Sequence, residues 1–75
     1  MKRYKNLDGN SGVLAYHIQP DSITVQFADG ISYFYTYISA GQDNIEKMKT
    51  LAERGKGLST FITQHVHNAY HAKFE

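Results

Sequence analysis

His67 and His71 stand four residues apart, the spacing that lets two imidazoles on one helical face reach a single metal ion. The rest of a metal site is absent from the pattern: there is no cysteine, no glutamate lies between the pair, and a third ligand would have to come from Glu75 or His17. No metal and no cofactor are therefore expected, with both histidines exposed on a helix and His65 at the edge of the core. Nucleophilic chemistry is equally unsupported. Ser11, Ser22, Ser32, Ser39 and Ser59 fall in turns, on a strand face or at helix caps, and none sits in a strained strand-to-helix elbow. Asp21, Asp29 and Asp43 suit turns or helix starts, and Glu46 and Glu53 suit a helix exterior, so no carboxylate pair is set for acid–base work. Gly55-Lys56-Gly57 lacks the spacing of a phosphate loop. The N–H groups opening the helix behind it, close to Arg54 and Lys56, are a weaker candidate for an anion contact. No enzymatic activity is expected.

The elements that would carry these residues fit into 75 residues, one domain's worth of chain. Hydrophobic residues at 41% and charged residues at 20% exclude both a disordered tail and a bilayer span. Without cysteine, no disulfide framework is available, and six tyrosines and four phenylalanines must help to make the core. The opening Met-Lys-Arg-Tyr-Lys has no apolar run behind it, so no secretory signal is expected and a cytoplasmic location is the default. A net charge of +1 is too small to attract a phosphate backbone from a distance, so a nucleic-acid role must rest on a local patch.

Residues 1 to 12 are rich in turn formers and read as a flexible N-terminal arm, leaving 13 to 75 as the domain. Alternation from Val13 to Ile18 and from Ile23 to Phe27 predicts two strands joined through Gln19-Pro20-Asp21-Ser22. Asp29-Gly30 permits a two-residue turn, but a three-residue loop over Ala28-Asp29-Gly30, with Gly30 left-handed, pairs Phe27 with Ile31. The longer loop is preferred. It gathers Leu14, Tyr16, Ile18, Ile23, Val25, Ile31, Tyr33 and Tyr35 on one apolar face, whereas a one-residue slip would turn the third strand over. Ile45, Met48, Leu51 and Ala52 then predict an amphipathic helix over about 41 to 54, starting at Ser39 or Gly41 and closed by Gly55. A second helix, capped by Ser59, is expected to run to about residue 72 through Phe61, Ile62, His65, Val66, Ala69 and Tyr70. The expected fold is α+β: a three-stranded antiparallel meander followed by a two-helix hairpin on one sheet face.

Leu14 and Tyr16, Ile23 to Phe27, Asp29-Gly30, Tyr33-Phe34-Tyr35, Ala52 and Gly55 to Ile62 together resemble the KTSC domain. This short module is named for its place at the C-terminus of some lysyl-tRNA synthetases, and it also stands alone as small bacterial and phage proteins. The resemblance spans about residues 13 to 72. Its distinctive tyrosine-x-tyrosine is matched by Tyr33 and Tyr35, although Tyr35-Thr36-Tyr37 fits the same letters. Ile38-Ser39 replaces a frequent valine-proline, and Leu58-Ser59 a frequent phenylalanine-asparagine. The resemblance implies no established activity; RNA binding is suggested by the synthetase context.

Two surfaces follow. Tyr33 and Tyr35 are expected to bury their rings beneath the helices, which would exclude base stacking on that side. On the other side a row of His17, Thr24 and Phe34, with Arg54 and Lys56 from the interhelical loop, is the candidate nucleic-acid contact. Phe34 reads equally as isolated exposed apolar area. The expected partner is RNA or another nucleic acid, bound weakly. The alternative is a protein-interaction or self-assembly module using the same face, or the edge of the first or third strand. No membrane partner is expected.

Overall fold

The computed structural model describes residues 1–75. Five antiparallel strands lie side by side in chain order: β1 (Lys2–Arg3), β2 (Val13–Gln19), β3 (Ser22–Phe27), β4 (Ser32–Thr36) and β5 (Ala72–Phe74). Between β4 and β5 come α1 (Tyr37–Ala40), α2 (Gln42–Arg54) and α3 (Leu58–Phe61), the last continuing as a π-helical turn over Ile62–Val66. The class is α+β, and no helix is long and apolar enough to cross a membrane.

The register follows from the turns. Pro20-Asp21 joins β2 to β3 with Ile18 opposite Ile23. Between β3 and β4 the Phe27 N–H donates to the Ile31 carbonyl at 2.9 Å and Gly30 takes φ +88°, which defines the three-residue loop. Tyr33 and Tyr35 therefore lie opposite Val25 and Ile23, on the face that the helices cover. That core combines Tyr4, Val13, Tyr16, Ile23, Val25 and Tyr35 from the sheet side with Ile45, Met48, Leu51, Leu58, Ile62 and Val66 from the helices.

The sheet differs from the three-stranded expectation at both ends. Residues 1 to 12 are not a separate arm: Lys2 and Arg3 pair with Tyr16 and Ala15, and Tyr4 is buried in the core. Its hydroxyl oxygen accepts from the Leu58 N–H at 3.3 Å, and the Leu7 N–H donates to the Gly55 carbonyl at 2.8 Å. The opening segment thus straps the α2–α3 turn. A two-residue strand has too few positions to show alternation, which hides it among turn formers.

At the other end the last helix stops at Val66 rather than near 72. Ala69 and Tyr70, read as the continuing apolar stripe, instead lie on the return to β5, where the His71 N–H donates to the Phe34 carbonyl at 2.7 Å. Both strand edges once open to a partner, those of β2 and β4, are occupied by β1 and β5.

Two smaller corrections have local causes. The register shifts between Val13 and Ala15, so Leu14 is the extra residue of a bulge and is 46% exposed while Val13 takes the core position. The residue before α3 is Gly57 in the left-handed region, so Ser59 lies inside the helix and does not cap it. A capping box forms at α1, where Thr36 and Ser39 each accept the other's backbone N–H at 3.0 Å.

Candidate functional site

Every second residue of β2, β3 and β4 points away from the helices; beside the row Gln19–Ser22–Thr36 stand two rows that pairing with β1 and β5 extends. One is His17–Thr24–Phe34–Ala72; the other is Arg3–Ala15–Gln26–Ser32–Phe74. The predicted trio His17, Thr24 and Phe34 is thus brought together on the helix-free face. Phe74, 58% exposed, is a diagonal neighbour of Phe34 across the β4–β5 pair, within about 7–8 Å by strand geometry. The His71 ring meets Phe34 edge-on, at 5.9 Å between centroids and 82° between planes. Phe34, Phe74 and two imidazoles therefore share a face on which Arg3 is the one permanently charged member of the two rows.

Arg54 and Lys56 do not join them. Arg54 ends α2 and Lys56 follows it, both on the side of the sheet that the helices cover. Lys56 lies 3.7 Å from Asp8, beside an open, mostly polar cleft of about 230 Å³ between the opening segment and the start of α3. The sheet face and the basic loop are separate surfaces on opposite sides of the sheet.

The histidine pair is also divided, because the helix ends before both positions. His67 lines a cleft on the core side, whereas His71 packs against Phe34 on the other. His65 stacks on Phe61, at 4.5 Å and 27°. No three metal-ligating side chains come together.

The tyrosine pair has a more mixed environment than a sealed core. Tyr35 is 1% exposed, but Tyr33 is only half-buried, and both line an open cleft of about 360 Å³ between β4 and the π-helical turn. Tyr33 and Tyr35 are inclined by 29°, and Tyr70 stands against them at 60° and 84°. Burial, reinforced by the neighbouring Tyr33 and Tyr70 hydroxyls, pushes the Tyr35 hydroxyl up to about 12. It is neutral, and a hydrogen-bond donor, across the physiological range.

A charged network on the helix surface serves structure. Glu46 accepts from the Tyr37 hydroxyl at 2.6 Å and from Lys49 at 2.7 Å, while Lys49 also donates to the Pro20 carbonyl. The Lys49 hydrogen bond, then that of Tyr37, holds the Glu46 carboxyl below its ordinary range; the bond to Glu46 raises the Tyr37 hydroxyl. The group ties α1, α2 and the β2–β3 turn together.

Sequence reasoning missed Arg3, His71 and Phe74 on the open face, and Asn68, Tyr70 and Lys73 around the tyrosine cleft. The available signal was three residues of alternation, Ala72-Lys73-Phe74, too short to separate from a helix end. No family model, curated protein or solved structure matches the chain.

Proposed function

We propose that this protein is a small, non-catalytic, KTSC-like accessory module that acts in the cytoplasm and binds single-stranded RNA weakly through the helix-free sheet face. One observation carries the reading: Phe74 is exposed beside Phe34 on an open antiparallel face, with His17 and His71 around them. Sheets that bind single strands use such rings, because every base has a face that stacks whatever its sequence. Tyr33 and Tyr35, the residues of the resemblance, turn the other way and serve the packing beneath the helices.

Arg54 and Lys56 take no part in this reading. With Arg3 as the nearby cation, about one phosphate is neutralised, and the logarithm of affinity falls by only about 0.7 per decade of salt for each phosphate contacted. Stacking dominates. A protein partner on the same face is the second reading, favoured by the same exposed Phe74; strand pairing is disfavoured because β1 and β5 are short and carry Lys2 and Lys73.

An NMR titration with mixed hexanucleotides at two salt concentrations tests the proposal. Shifts should centre on His17, Thr24, Phe34, Ala72 and Phe74. Each stacked base is worth about 1–3 kcal/mol, so Phe34→Ala should weaken binding about 5- to 150-fold. Unchanged affinity in that variant, shifts confined to Arg54 and Lys56, or no binding at millimolar RNA refutes it, the last in favour of a protein partner.

A further inference from the structure

We infer that the cleft between β4 and the π-helical turn, on the helix-covered side, is a binding site for a neutral, planar heteroaromatic ring of the nucleobase type. This goes beyond the sheet-face reading and does not depend on it. The volume, about 360 Å³, falls in the range of small-molecule sites. Half-buried Tyr33 and Tyr70 form the two sides of a corner, with ring centroids 5.1 Å apart and planes at 60°, while the buried Tyr35 ring lies behind them. A flat ring can lie against such a corner by stacking on one surface and meeting the other edge-on.

The Tyr35 hydroxyl supplies the second observation. Its residue is almost wholly buried, yet the oxygen makes no hydrogen bond within the chain. No fully sealed side-chain oxygen or nitrogen is left without a partner, so this hydroxyl opens into the cleft that Tyr35 lines. Within the cleft it is a donor with no partner in the chain, and an acceptor on an incoming ring can take the place of water there. Asn68, also in the lining, offers both a donor and an acceptor to the same ring.

The cleft carries no net charge that would hold an ion. Its lining has one carboxylate, Asp29, and one ammonium, Lys73, and Lys73 lies over the Tyr33 ring at 5.9 Å and 3.5 Å from Glu75. A polar, uncharged ring suits such a lining. A free nucleoside and an unpaired base within RNA share this chemistry.

The test is an NMR titration of the full chain with adenosine and uridine, with choline and adenosine monophosphate as charged comparisons and a short RNA as the other source of bases. Nucleosides should shift Tyr33, Tyr35, Asn68 and Tyr70 at millimolar concentration. Tyr35→Phe keeps the ring and the fold and should weaken them about five- to tenfold, while Phe34→Ala should leave them unchanged. RNA that moves these residues as well marks a strand-borne base as the source; RNA that moves only the sheet face marks free nucleoside. Silence toward both nucleosides, tighter binding of choline or the monophosphate, or no effect of Tyr35→Phe overturns the inference.

Discussion

Replacing Gly55 with alanine tests whether the opening segment is a structural strap. Gly55 closes α2 at φ +81°, and a side chain there would place its Cβ 2.5 Å from the Cβ of Lys5. Gly30 is the control, because it takes φ +88° with nothing within 4 Å of its added Cβ. Gly30→Ala should therefore cost only the left-handed backbone term, about 1–2 kcal/mol. Gly55→Ala adds an overlap that no side-chain rotation relieves, since the atom it meets is fixed to the Lys5 backbone. Overpacking of this kind costs about 1–3 kcal/mol more. Its total, about 2–5 kcal/mol, is comparable with the roughly 3–5 kcal/mol that a core of this size supplies. Thermal unfolding followed by circular dichroism should show Gly30→Ala melting lower by about 4–16 °C, at 4–8 °C per kcal/mol, and Gly55→Ala close to unfolded at room temperature. Lys5→Gly removes the opposing Cβ, so a double-mutant cycle should return a coupling of about 1–3 kcal/mol. Equal losses at Gly30 and Gly55, or no coupling to Lys5, would refute the strap.

Raising the pH should destabilise the fold through Tyr35. Its hydroxyl is raised from 10.0 to about 12, so its contribution is fully present below pH 10 and is lost as pH rises through 12, a span worth about 2–3 kcal/mol. Burial raises Tyr4 as well, and Tyr35→Phe should flatten, without abolishing, the alkaline fall in urea midpoint; an unaltered fall contradicts the assignment. Tyr4→Phe removes the acceptor of the Leu58 N–H and should cost about 1 kcal/mol, read from denaturant curves, with native-like stability excluding that bond. Thr36→Ala should lose about 1 kcal/mol from the capping box while Ser59→Ala stays within about 0.5 kcal/mol, and the reverse order would restore Ser59 as a cap.

The middle of the chain was legible because two independent patterns agreed there. The three-residue loop at Ala28-Asp29-Gly30 was the one that kept Val25 and Tyr33 on a common apolar face, and the pairing follows it. The α2 stripe of Ile45, Met48, Leu51 and Ala52 was equally readable, since more than three turns give the period room to repeat. Leu14 was misplaced because a bulge shifts alternation by one residue, and nothing in Val13-Leu14-Ala15 marks it. The final helix was overextended because Ala69 and Tyr70 are apolar at helical spacing, although they face the sheet from a return loop. The row of His17, Thr24 and Phe34 came from register alone. Arg54 and Lys56 lie apart from that row, since a charge pattern says nothing about which side of a sheet a loop occupies.

Ala72–Phe74 is three residues long and borders two surfaces at once: Lys73 faces the tyrosines, while Ala72 and Phe74 face the opposite side. Unzipping this short ribbon from β4 would dismantle a wall of each surface in a single event. Anything held on one side would then suppress the same fraying that empties the other, so occupancy of either should tighten the other through reciprocal linkage, with no contact between the two molecules. Slower exchange of the Phe34 amide, which points toward this ribbon, would be its signature.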